Sequence, residues 1–129
     1  MRVLVTGGRD YNDAAVVQRT LEALRPHPAF VIQGGALGAD LLARGWAKPS
    51  GVAVLNYPAD WQTYGRRAGP LRNQRMIDEG KPDLVVAFPG GRGTADMVKR
   101  ARNAGIPVRE VGDPATPRRD ATDTNSEGV

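Results

Sequence analysis

The sequence has no cysteine and one histidine. The first absence removes a disulfide framework, a thiol nucleophile and thiolate metal sites, and makes a cytoplasmic location the default expectation. The second leaves too few nitrogen ligands for a zinc centre, and His27, flanked by Pro26 and Pro28, reads as a surface residue of a connection. No cofactor and no metal site is expected, with carboxylate-bound magnesium at Asp10, Asp40 or Asp60 the one metal reading left open. Long apolar runs are missing too. The opening Met1–Thr6 is too short for a signal peptide or a membrane span, so no membrane partner is expected.

What is present suits one domain with one ordinary core: 129 residues, 40% of them hydrophobic. The net charge of +4 understates the excess on the body of the chain. Two of the 18 basic and four of the 14 acidic residues fall in 112–129, which leaves 16 against 10, or +6, on residues 1–111. That balance favours an anionic ligand, nucleotide or nucleic acid, without choosing between them.

The organising stretch is Leu84–Asp96, where an unalternated apolar run breaks into Pro89-Gly90-Gly91-Arg92-Gly93-Thr94. Such a run implies a strand covered on both faces, as in a parallel sheet between helices. Gly90, Gly91 and Gly93 allow positive φ and close approach of a ligand, and Thr94 is the expected N-cap of the following helix. A glycine loop at a helix N-terminus suits phosphate.

In chain order, strands at 2–6, 30–33, 52–57, 84–88 and 107–111 alternate with helices. The first helix is capped by Asn12 or Asp13 and carries Val17, Leu21 and Leu24 on one face. The second runs from about Gly38 to Lys48, with Leu42 and Trp46 inward. A long structureless connection through Pro58, Trp61, Tyr64 and Gly65 to Pro70 then leads to a helix from Leu71 to about Glu79, ended by Gly80. The last helix spans Thr94 to about Ala104. Five strands with helical crossovers predict a Rossmann-like, doubly wound α/β fold, a parallel sheet in the order 3-2-1-4-5. Residues 112–129, rich in Pro, Asp, Thr and Arg, read as a disordered tail on a single domain at 1–111.

Three strands end alike, in Gly7-Gly8, Gly34-Gly35 and Gly90-Gly91, so the pairs share the carboxyl edge of the sheet and line its ligand crevice. Arg9 and Asp10 follow the first pair, Arg9 as a phosphate fork. The second and third pairs extend to Gly-Gly-x-x-x-Ala-Asp, which places Asp40 and Asp96 in first helical turns. There each either complements the helix dipole or accepts bonds from ribose hydroxyls or a cation. Arg72 and Asn73 open the helix whose Met76 and Ile77 face the core, and both can reach a ligand. Trp61 and Tyr64 either lid a base by stacking or anchor their loop on the sheet.

Thr6–Tyr11, Gln33–Asp40, Tyr57–Trp61, Gly69–Asn73 and Pro89–Asp96 together resemble the YspA-like group of the SLOG superfamily, in the same order over about residues 1–111. Relatives include the Lonely Guy (LOG) enzymes, which cleave the N-glycosidic bond of nucleoside 5′-monophosphates, and nucleotide-sensing domains. The LOG signature is Pro-Gly-Gly-x-Gly-Thr-x-x-Glu with a catalytic arginine on the preceding helix. Pro89, Gly90, Gly91, Gly93 and Thr94 match it, and Arg72 before Met76 matches the arginine. The glutamate position holds Met97, and Asp96, one residue earlier and about 100° round the helix, is the nearest carboxylate. The resemblance therefore implies a nucleotide-binding protein, with N-glycosidic hydrolysis by Arg72 and Asp96 as its catalytic form. The other reading is a single-strand nucleic-acid binder like the SLOG protein DprA, whose glycine loop looks like Gln33–Asp40. Assembly into a homodimer or a higher homo-oligomer is left open.

Overall fold

The computed structural model describes residues 1–112; the tail expected at 112–129 lies, from residue 113 on, outside the described residues. Five strands, β1 (Arg2–Thr6), β2 (Phe30–Gln33), β3 (Ala53–Asn56), β4 (Leu84–Ala87) and β5 (Val108–Glu110), form one parallel sheet. Its order is β3-β2-β1-β4-β5, the doubly wound arrangement read from the sequence. Winding reverses between β1 and β4, where Thr6 pairs with Ala87.

Alternation along the central strands sorts two cores. Val3, Val5, Val31 and Val86 face α1 (Ala14–Glu22) and α2 (Ala39–Ala47), packing on Val17, Leu21, Ala43 and Trp46. Leu4, Ile32 and Val85 face α4 (Ala68–Asp78) and α5 (Arg92–Asn103), packing on Met76, Ile77, Met97 and Ala101. A sheet buried on both faces has no polar side to alternate with, which is why β4 reads as a continuous apolar run. Asp13 caps α1 by accepting a 3.1 Å bond from Val16 N. Trp46 Nε1 donates to Glu22 Oε1 at 3.1 Å, tying the two helices of that face.

The connection expected to be structureless is helical. Asp60 Oδ1 accepts from Thr63 N at 3.1 Å and starts a short α3 (Trp61–Tyr64), a 3-10 turn (Gly65–Arg67) follows, and α4 begins at Ala68, three residues before Leu71. Pro70 lies in the first turn of α4, where its missing N–H costs no helical bond, so it starts a helix instead of ending a loop. At the other end Glu79 is the C-cap and Gly80 comes after it. No described helix is long and apolar enough to cross a membrane.

Candidate functional site

The three glycine loops are joined backbone to backbone. Gly8 N donates to Pro89 O at 2.8 Å, and Gly8 O accepts from Ala39 N at 3.2 Å. A Cβ on Gly8 would meet Pro89 O at 3.0 Å, and one on Gly90 would meet Gly8 N at 2.6 Å and press on Thr94 Oγ1. On Gly7 it would meet Ala39 Cβ at 2.5 Å, and on Gly34 it would meet the Arg72 guanidinium. These four are glycines because the protein's own chain fills the space.

Gly91 and Gly93 differ. Neither has positive φ, contrary to the expectation for this loop, and a Cβ on either would meet nothing within 4 Å. Gly93 lies inside the first turn of α5, where glycine costs roughly 1 kcal/mol relative to alanine. Internal packing accounts for neither glycine; Gly91 has a local reason in its N-cap position, and Gly93 has none.

The third loop also departs from the second. Gly35 and Gly38 both have φ of +74° and hold the chain out of helix until Ala39, which leaves Asp40 in the first turn of α2. With no positive φ in Gly90–Gly93, α5 begins at Arg92 with Gly91 as its N-cap. Thr94 is therefore the third helical residue, not the cap, and Asp96 lies past the first turn. No side chain caps α5, so its first amides keep their donors.

Asp40 is buried and turned to its own loop. Its Oδ2 accepts from Gly34 N at 3.0 Å and from Ala36 N at 3.3 Å. Burial pushes its pKa up to about 6, and the two amide bonds and the Arg72 charge only partly offset that. Arg72 braces three elements: Nη1 donates to Gly34 O at 2.8 Å and to Tyr57 O at 3.4 Å, and Nε donates to Asn73 Oδ1 at 3.1 Å. Burial lowers its pKa, against the raising effect of Asp40.

Asn73, 4% exposed, donates from Nδ2 to Asp96 Oδ2 at 2.9 Å and to Gly93 O at 3.2 Å. Arg100 Nε adds a 2.8 Å ion pair to the same Oδ2. Desolvation pushes Asp96 up, but the bonds from Arg100 and Asn73 and the charges of Arg100 and Lys99 outweigh it, so its pKa lies below the usual carboxylate value. Asp96 Oδ1 takes no hydrogen bond from the described residues.

Asp40, Arg72, Asn73, Asp96 and the three glycine pairs lie on one cleft of about 1460 Å³ along the carboxyl edge of the sheet. Its wall includes Gly7, Gly8, Arg9, Asp10, Gly34, Gly35, Asp40, Arg72, Asn73, Pro89, Gly90, Gly91, Gly93, Thr94 and Asp96, the ligand-binding and catalytic candidates read from the sequence. Trp61 is on the wall and Tyr64 is not. Met97 is away from it, fully buried between Met76 and Ala101. No group of three or more potential metal-ligating side chains occurs among the described residues. Asp60 is spent as the α3 cap, which holds its pKa down.

Sequence reasoning missed four residues here. Arg66 and Arg92 line the cleft, exposed and without a hydrogen bond or ion pair among the described residues, and Leu37 lines it although apolar. Arg100 holds Asp96 from behind. Its i, i+4 spacing from Asp96 was the available signal.

Comparison with known proteins agrees with this architecture. The model of the YspA, cpYpsA-related SLOG family matches residues 1–64, which hold the first two glycine loops. The Gene 61 protein of Mycobacterium phage D29 is 42% identical over 122 residues, covering 87% of this chain and 97% of that protein. The chain belongs to the YspA, cpYpsA-related SLOG family. The family model ends before Arg72 and Pro89–Asp96, so it covers only half of the cleft wall of this SLOG protein; the phage relative extends over nearly its whole length.

Proposed function

We propose that this SLOG protein binds a nucleotide or nucleotide-derived ligand, with a phosphate at the first turn of α5. The observation that carries the reading is the pair Gly91 and Gly93, whose missing side chains serve no contact within the protein but leave open the approach to uncapped helix amides. Arg9 and Arg92, on the same cleft and without an ion pair among the described residues, supply charge for an anion. In the catalytic form of the reading, Asp96 Oδ1 faces the sugar of a nucleoside 5′-monophosphate as oxocarbenium character develops. The ionised state of Asp96 suits it to stabilise that charge. Arg72 then holds the floor of the site from Gly34 to Asn73.

The second reading, single-strand nucleic-acid binding, is favoured by Arg9 in the loop after β1, Arg66 in the 3-10 turn and Arg92 in α5, which line one cleft without an ion pair among the described residues. A thermal-shift panel of mononucleotides, ADP-ribose-type compounds and oligonucleotides at low and moderate salt separates the two. A buried mononucleotide contact is screened little, whereas a nucleic-acid binder loses orders of magnitude in affinity as salt rises. Stabilisation by a mononucleotide that persists at moderate salt supports the first reading. Oligonucleotide binding that falls steeply with salt, with no mononucleotide response, overturns it. Release of free base that is lost in Asp96→Asn while nucleotide still binds would establish the catalytic form.

A further inference from the structure

The two tryptophans are used in opposite ways. Trp46 is 7% exposed, packs in the core and bonds to Glu22, whereas Trp61 is 58% exposed and lies on the cleft wall. Its ring is not loose. A Cβ on Gly69 would come within 3.2 Å of Trp61 Cη2, so the indole lies against the backbone of α4 where that helix has no side chain. One side of the ring is thus supported by protein while much of it stays open. Leu37, in the loop before α2, is also 58% exposed and lines the same cleft. Two large apolar side chains left uncovered inside a cleft cost hydration free energy that burial elsewhere would recover.

The cleft also changes character along its length. Toward β1 and β4 it is glycine, arginine and the N-terminus of α5; toward β2 and β3, beside Gly34, Gly35 and Arg66, it gains an apolar stretch of Ala36, Leu37, Pro58, Ala59 and Trp61. The loops after β3 and β4 are separated by three strand spacings, about 14 Å, on the order of an extended nucleotide. A ligand with a phosphate at one end and a flat apolar ring at the other matches both ends at once.

We infer that Trp61, with Leu37 on the same cleft, is its base-stacking end and takes the heteroaromatic ring of the ligand whose phosphate lies at Gly91–Thr94. This rests on the phosphate-binding reading above and extends it to the far end of the site. An indole stacks on any base, so Trp61 contributes affinity for a base without naming it.

The test compares AMP with ribose 5-phosphate, which carries the same phosphate and sugar but no base, on the full chain by calorimetry and by the part of the tryptophan emission that Trp61→Ala removes. Wild type is expected to bind AMP at least tenfold more tightly than ribose 5-phosphate, with quenching by AMP alone. In Trp61→Ala the ratio of the two affinities should collapse toward one, and in Trp61→Phe most of it should remain. If wild type binds the two equally, or if the ratio survives in Trp61→Ala, the stacking assignment is wrong while the phosphate site stands. If neither compound binds wild type, the phosphate reading falls and the stacking assignment falls with it.

Discussion

Asp96 and Met97 are consecutive on α5 and lie in opposite environments: Asp96 opens on the cleft and is held by Asn73 and Arg100, while Met97 is fully buried against Met76 and Ala101. The 100° step between neighbours on a helix separates them. The resemblance to the LOG signature puts a carboxylate at the place of Met97. In this chain that place is core, and the cleft carboxylate is its neighbour.

Met97→Glu is accordingly expected to destabilise the protein and not to create or restore base release. An unpaired carboxylate among Leu4, Ile32 and Val85 should cost several kcal/mol, on the order of 3 or more. Urea unfolding checks the stability and release of free base checks the activity. A stable variant that gains cleavage would mean that α5 can turn to present this position.

Asn73→Ala removes the group that fastens both Arg72 and Asp96. All three bonds of its carboxamide are internal, so the loss should be about 1–3 kcal/mol. The Asp96 pKa should rise because one of its two hydrogen-bond donors is gone, although Arg100 remains. Carboxyl NMR titration of wild type and variant reads this directly. An unchanged Asp96 titration would show that Arg100 alone sets it.

Asp40 should give the stability a definite pH dependence. Its pKa is raised from 3.8 to about 6, so the folded state holds the proton more tightly than the unfolded chain. Its contribution is therefore fully present below about pH 4 and lost as pH rises through about 6, a fall of about 3 kcal/mol. Asp40→Asn should flatten that part of the profile. A wild-type curve that rises between pH 4 and 6, with the same rise in Asp40→Asn, would contradict the assignment.

The parallel, doubly wound sheet was legible because strands alternate with helical crossovers, and its carboxyl edge because three strands end in glycine pairs. Gly8, Gly34 and Gly90 then proved to be packing glycines, which no local pattern distinguishes from ligand-facing ones: what crowds Gly34 is Arg72, 38 residues away. The starts of α4 and α5 were misread for local reasons. Pro70 is as compatible with a first helical turn as with a loop, and Thr94 is a good N-cap type placed three residues too late. The matching Gly-Gly-x-x-x-Ala-Asp stretches hid a difference in φ at Gly35 and Gly38 that side-chain identity alone does not reveal. The inward turn of Met97 depended on that same helix start.

The most direct measurement is nucleotide-induced stabilisation of Gly91→Val beside wild type. A Cβ at 91 meets no protein atom within 4 Å but projects where the backbone must approach a phosphate, so the sheet should stay folded, with about 1 kcal/mol lost because valine is a poorer N-cap than glycine. At about a hundredfold excess over Kd, a mononucleotide should raise the wild-type Tm by about 10 °C, from about 2.7 kcal/mol of linkage. The variant should melt a few degrees below the ligand-free wild type and show no rise with nucleotide. A full rise in Gly91→Val would place the ligand elsewhere and contradict the account.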